Sequence, residues 1–190
     1  MLRDYHGPYI ETARANGYGF ILDAPTWRAS ADWGVKLGYS NEALAAVNRD
    51  AISLMVELRD ANETTGMPMV VSGTLGPRGD GYEPGELMSA RQAQDYHAEQ
   101  IAVFADTQAD MLGAFTLTNV PEAIGIARAA KEAGMPVAIS FTLETDGKLP
   151  TGMPAAFAAC AMPIASATLV SVKAVTMSAS VSAKTLICSA

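Results

Sequence analysis

Three times in this chain an apolar, strand-like run ends abruptly in a cluster of polar and turn-forming residues. Phe20-Ile21-Leu22 runs into Asp23-Ala24-Pro25-Thr26-Trp27-Arg28, and Met69-Val70-Val71 into Ser72-Gly73-Thr74-Leu75-Gly76-Pro77-Arg78-Gly79-Asp80-Gly81. Val137-Ala138-Ile139 runs into Ser140-Phe141-Thr142-Leu143-Glu144-Thr145-Asp146-Gly147. Parallel α/β folds build their sites at the carboxyl ends of strands, so these three ends are expected to be neighbours around one pocket.

The stretches between them carry helical signals. Leu44, Val47, Ala51, Leu54, Met55 and Leu58 recur at spacings of three and four, with Ser40 placed to cap the helix. Ser89 followed by Gln92 spells a capping box, which opens a helix running to about Ala105 with His97, Ile101 and Phe104 on its stripe. A third helix begins near Pro121, carries Ile124 and Ala127, and stops at Gly134. The opening segment from Leu2 to Asn16 is helical and ends at Gly17, and Met111 to Leu117 is a further strand. The order α-β-α-β-α-β-α-β calls for a parallel sheet with right-handed crossovers.

With 190 residues and nearly half of them apolar, the chain can bury one sizeable core. The net charge of -7 and the lack of a Lys/Arg cluster argue against a nucleic-acid partner and favour a small-molecule ligand. Cys160 and Cys188 match no metal spacing, and the start Met1-Leu2-Arg3-Asp4-Tyr5-His6 has no apolar signal region, so a cytoplasmic location is expected.

After Met153 the composition changes. From Ala155 to Ala190 there is no Asp, Glu, Gly, Asn, Gln, Arg or His, and Ala, Ser and Val dominate. The uncharged stretch from Leu149 to Val172 carries Pro150, Pro154, Pro163 and several hydroxyls with little Leu or Ile, which argues against a membrane span. The alternation from Val175 to Ser182 suits a strand. The expected organisation is a barrel-type domain over residues 1–153 and a tail over 154–190 that is foreign to the fold, as a shifted reading frame would produce.

Several polar residues are placed to meet a ligand. Asp23 sits where a strand emerges, and Pro25 stops the strand from continuing, so its carboxylate either faces the pocket mouth or caps a local turn. Trp27 and Trp33 flank Arg28 and Asp32, a combination that suits a flat or cationic ligand or packs under a loop. The Gly76–Tyr82 loop lets backbone approach a ligand and offers Asp80; it lacks the Gly-Lys-Ser/Thr ending of a phosphate loop. Glu144 and Asp146, two apart, form a candidate acid/base or ligand-orienting pair. Thr116, Thr118 and Asn119 supply hydroxyls and an amide at another strand end. His97 reads as a core histidine and His6 as exposed, and no metal site or nucleophilic Ser-His or Cys-His arrangement is evident.

The segments Asp23-Ala-Pro-Thr-Trp-Arg-Ala-Ser-Ala-Asp-Trp-Gly34, Gly76-Pro-Arg-Gly-Asp-Gly-Tyr82 and Glu144-Thr-Asp-Gly-Lys-Leu-Pro-Thr-Gly152 together resemble the homocysteine S-methyltransferase family, in the bacterial branch related to betaine-homocysteine methyltransferase. The resemblance runs from about Leu2 to Gly152 and implies a (β/α)8 TIM barrel. It also implies a small-molecule thiol substrate, a methyl donor, and a zinc ion held by three cysteines that presents the thiolate. The fold class expected here is α/β, a partial barrel from about helix 1 to strand 5.

Where the family has a first strand with Asp-Gly-Gly, this chain starts at a helix. The family's Asn-Cys and Gly-Gly-Cys-Cys zinc segments have no counterpart, and Phe115-Thr116-Leu117 stands where many members place a Glu for the substrate amine. The candidate substrate-contacting residues are Asp23, Thr26, Trp27, Thr74, Asp80, Thr116, Asn119, Glu144 and Asp146, with no catalytic residue and no metal ligand assigned. Three functional expectations follow: a family-type chain that is inactive as it stands, a non-catalytic half-barrel that pairs its exposed edges with another copy or another chain, or a metal-independent enzyme using Asp23, Glu144 and Asp146.

Overall fold

A computed structural model describes residues 2–156, 158 and 168–174. In chain order the elements are α1 (Leu2–Asn16), β1 (Phe20–Asp23), α2 (Ala31–Leu37), α3 (Asn41–Asn62), β2 (Met69–Leu75), α4 (Ala90–Ala105), β3 (Met111–Leu117), α5 (Val120–Glu132), β4 (Val137–Leu143) and β5 (Thr168–Ala174). The strands form one parallel sheet in the order β1-β2-β3-β4-β5. Each strand lies beside its successor. A doubly wound sheet reverses its order at a switch point, whereas this monotonic order is that of a (β/α) barrel, here represented by part of its circumference.

The expected helices and strands are present, for local reasons. The Ser40 hydroxyl accepts from the Ala43 amide, Ser89 and Gln92 close a reciprocal capping box, and the Asn119 side chain caps α5 through the Glu122 amide. Gly17 and Gly134 end α1 and α5 with φ of +66° and +69°, a region costly for residues with a Cβ. Two readings need correction. α2 has two turns with Gly34 inside and too short a stripe to show in the sequence. On α3 the buried line runs through Asn48, Ile52, Met55 and Val56, leaving Val47 40% exposed, because the buried Asn48 amide bonds to the Ala29 and Leu44 carbonyls.

One face of the sheet is sealed by helices. A Cβ at Gly73 would meet the Phe104 ring of α4 at 2.7 Å, so position 73 faces the helices and Ser72 and Thr74 face the other way. The sealed face carries Leu22, Val71, Leu75, Leu112, Ala114, Val137, Ile139 and Phe141, all buried. α4 and α5 approach closely: a Cβ at Gly125 would lie 2.5 Å from the Ala93 Cβ. The opposite face is partly open, with Ile21 51% and Val70 38% exposed.

Among the described residues no helix is long and apolar enough to cross a membrane. The expected strand over Val175 to Ser182, and both Cys160 and Cys188, lie outside the described residues. A parallel strand, β5, falls within the segment 154–190 and pairs in register with β4 from Val137↔Thr168 to Leu143↔Ala174.

Candidate functional site

The carboxyl ends of β1 and β2 are held in register by the pair Asp23↔Ser72, and Thr74 lies two residues further along the same face of β2. These ends open into a cavity of about 570 Å³ lined by α1 side chains and by Ile21, Asp23, Trp27, Thr74 and Phe115. Three buried polar atoms cluster here, Asp23 Oδ1, Ser72 Oγ and Thr74 Oγ1, with the Ser72 hydroxyl close enough to the Asp23 carboxylate to favour its charged form. Burial pushes the Asp23 carboxyl above the usual aspartate range, an effect that the Ser72 hydroxyl and the His6 ring oppose.

His6 needs correction: it is 8% exposed and lines this cavity from α1, with its neighbours Tyr5 and Tyr9. Burial lowers the His6 imidazole from its ordinary range, and Asp23 opposes that shift.

Trp27 forms a wall of the cavity and is fixed in place. Its indole Nε1 donates to Thr116 Oγ1 at 3.1 Å, and Thr116 has φ of +58°, unusual for a β-branched residue. This strain coincides with the register shift in β3 between Ala114 and Leu117. A Cβ at Gly76 would come within 2.9 Å of the Trp27 ring, and one at Gly81 within 2.8 Å of Thr116 Oγ1. The loop after β2 therefore threads past Trp27 and Thr116 only because both positions are glycine. Thr142 Oγ1 donates to the Gly81 carbonyl at 2.7 Å, which ties the loop to β4.

A second anchor lies deeper. The buried Glu122 carboxylate accepts from the Arg78 amide (2.6 Å), His97 Nε2 (3.0 Å) and Asn119 Nδ2 (3.0 Å). His97 is indeed a core histidine. With Glu122 as the acceptor for Nε2–H, the partnerless Nδ1 is assigned as the unprotonated ring nitrogen.

The other expected contacts are engaged within the protein. Thr26 Oγ1 donates to the Thr74 carbonyl (2.8 Å) and accepts from the Thr74 amide (3.2 Å), bracing β1 against β2. Asp80 accepts from the Tyr82 and Glu83 amides, which with Arg28 hold its carboxyl below the usual range. Asp146 is bonded by the Lys148 amide and Nζ, also lowering it, while Glu144 is exposed. Glu144 and Asp146 line neither this cavity nor a smaller one between α2, α3 and α4.

The aromatic faces near Arg28 are occupied as well. Its guanidinium lies 4.4 Å from the Trp33 centroid and 5.1 Å from that of Trp27, and Lys36 sits 4.5 Å from Trp33. Arg28–Asp80 and Arg78–Asp32 ion pairs then join this segment to the Gly76–Tyr82 loop.

The structure thus brings Asp23, Trp27 and Thr74 to one cavity, adds His6 and Phe115, and leaves Asp80, Glu144 and Asp146 outside it. Among the described residues no group of three or more His, Cys, Asp or Glu side chains could hold a metal ion.

A family model described as homocysteine S-methyltransferase matches residues 1–181. The fold is similar to that of the homocysteine methyltransferase MmuM from Escherichia coli. Its metallated form aligns with a TM-score of 0.71 at 21% identity, covering 84% of this chain and 57% of that one. Its oxidized form gives 0.68 at 22% identity, covering 80% and 54%. The chain therefore spans little more than half the length of these solved proteins. No curated protein matches it by sequence.

Proposed function

Because the chain belongs to the homocysteine S-methyltransferase family, we propose that the cavity at the ends of β1 and β2 receives a thiol-bearing amino acid of the homocysteine class. One observation carries this reading: the Asp23 carboxylate and Thr74 line the cavity wall, with Ser72 beside Asp23 in the sheet. An α-amino acid presents an ammonium donor beside a carboxylate acceptor, and a carboxylate next to two hydroxyls offers the complementary acceptor and donors. Trp27 and Phe115 would flank the apolar part of such a ligand.

The family resemblance assigns thiol activation to zinc, which lowers the thiol pKa and supplies a thiolate nucleophile. The described residues do not fit that role. Asp23 and His6 are the zinc-competent side chains at the cavity, and no third donor joins them. Methyl transfer from a donor to the thiol is accordingly the activity proposed for the family at full length, and this chain is proposed to bind the amino acid without turnover.

Calorimetric titration with homocysteine tests the first part, with Asp23→Asn expected to weaken binding at least about tenfold, the value of one charge-assisted hydrogen bond. Incubation with homocysteine, betaine and added zinc tests the second. Methionine formation with one zinc per chain would overturn the non-catalytic assignment, and failure of homocysteine to bind would overturn the whole reading.

A second reading rests on the open face of the sheet. Ile21 and Val70 are exposed there, and β1 pairs on one edge alone among the described residues. An unpaired edge beside apolar surface favours association, here with a second copy. Light scattering that finds a cooperatively folding monomer at high concentration would exclude it.

A further inference from the structure

His6 and Asp23 face the same cavity from different elements, α1 and the end of β1. No hydrogen bond joins them, so a group bound in the cavity can meet the Asp23 carboxylate and the His6 ring at once. Among the described residues that line the cavity, Asp23 and His6 are the side chains able to carry charge near neutral pH. Tyr5 and Tyr9 reach the cavity from α1, the β2 side offers the neutral Ser72 and Thr74, and β3 contributes Phe115. Arg3 on α1 is paired with Glu57 of α3, and Arg28, following Trp27, is paired with Asp80.

We infer that Asp23 and His6 form a seat for a primary ammonium group, and that the imidazole occupies this seat itself when it carries a proton. The inference rests on the amino-acid reading above and names the groups that hold the amine. An ammonium has three N–H donors. One meets the Asp23 carboxylate, one meets the unprotonated ring nitrogen of His6, and one is left for Thr74. Tyr5, Tyr9 and Trp27 line the same cavity, and aromatic rings near a cation favour positive charge over a neutral isostere.

A protonated His6 reverses the arrangement. Its ring nitrogen becomes a donor, its charge repels the ammonium, and it competes for the same carboxylate. Burial disfavours that form, so the seat is open near neutrality and closes as the pH falls through the lowered His6 range.

The experiment titrates the purified chain with homocysteine and with its des-amino analogue, mercaptobutanoate, between about pH 5 and pH 8, in wild type and His6→Gln. Homocysteine affinity is expected to fall at least about tenfold toward the acid end in wild type, to stay nearly flat in His6→Gln, and mercaptobutanoate affinity to vary little in either. Equal affinity for the two thiols at neutral pH, or a His6→Gln profile that copies wild type, overturns the inference.

If neither thiol binds, the amino-acid reading falls, and the seat is judged alone on the unmutated protein with methylammonium as probe. Saturating methylammonium is expected to move the titration midpoint of the His6 Cε1–H resonance downward, since it binds the neutral ring only. An unmoved midpoint overturns the seat.

Discussion

Replacing Glu122 by Ala removes one carboxylate and strands three donors at once: the Arg78 amide at 2.6 Å, His97 Nε2 at 3.0 Å and Asn119 Nδ2 at 3.0 Å. Glu122 and His97 are 2% and 1% exposed, so water cannot replace the lost acceptor without opening the α4–α5 contact. An orphaned buried donor costs about 1–3 kcal/mol, and three are stranded here. The three losses share one cavity and are not additive, so about 3–5 kcal/mol is expected in total.

At roughly 2–4 °C per kcal/mol for a chain of this size, the melting temperature should fall by about 6–20 °C. The effect also has a location. The Arg78 amide belongs to the loop that passes Trp27 and Thr116, so hydrogen exchange at residues 76–82 should accelerate more than in the sheet core. Glu122→Gln keeps an acceptor for Arg78 and should cost less than half as much. A loss below about 1 kcal/mol for Glu122→Ala, or an Arg78 amide as protected as in wild type, would refute the view that this carboxylate anchors the loop.

Asp23→Asn should stabilise the protein at neutral pH by about 1 kcal/mol, because a neutral amide is less costly to bury than a carboxylate. Burial raises the Asp23 carboxyl in the folded state, so its contribution to stability is present in acid and lost as pH rises through the folded value. The advantage of Asn should therefore shrink toward pH 4 in urea melts, and a pH-independent difference would contradict the burial argument. Trp27→Phe keeps the ring but removes the indole donor to Thr116 Oγ1, and should cost about 1 kcal/mol by thermal melt. Gly73→Ala forces a Cβ against the Phe104 ring and should cost about 1–3 kcal/mol. The double variant with Phe104→Leu should recover part of that loss, which a denaturant double-mutant cycle measures.

Element order and helix caps were legible because they depend on residues close in sequence, such as Ser40 with Ala43 or Ser89 with Gln92. The network behind the mouth was not. His97 and Glu122 meet across two helices, and nothing in either helix's periodicity names the partner. His6 was within reach of the sequence: it stands four residues before Ile10 and seven before Ala13, the helical stripe that α1 buries, and its polar side chain hid that spacing.

The strand-end carboxylates show where a finer local rule would have served. Asp23, Asp80 and Asp146 look alike as acids in turn-rich segments, yet their fates differ. An aspartate in a turn normally accepts from the amide two residues on. Asp80 finds Tyr82 there and Asp146 finds Lys148. Asp23 finds Pro25, which has no N–H to give. Thr26 does not substitute for it, since its amide donates to the Ala24 carbonyl at 2.8 Å. The proline that ends β1 therefore also denies Asp23 its local partner, and the Asp23 carboxylate remains available to the cavity. Replacing Pro25 by Ala tests this directly: the restored amide should satisfy Asp23, move its titration toward the ordinary aspartate range and weaken amino-acid binding. Unchanged Asp23 titration in Pro25→Ala would show that the carboxylate is held open by something other than the missing amide.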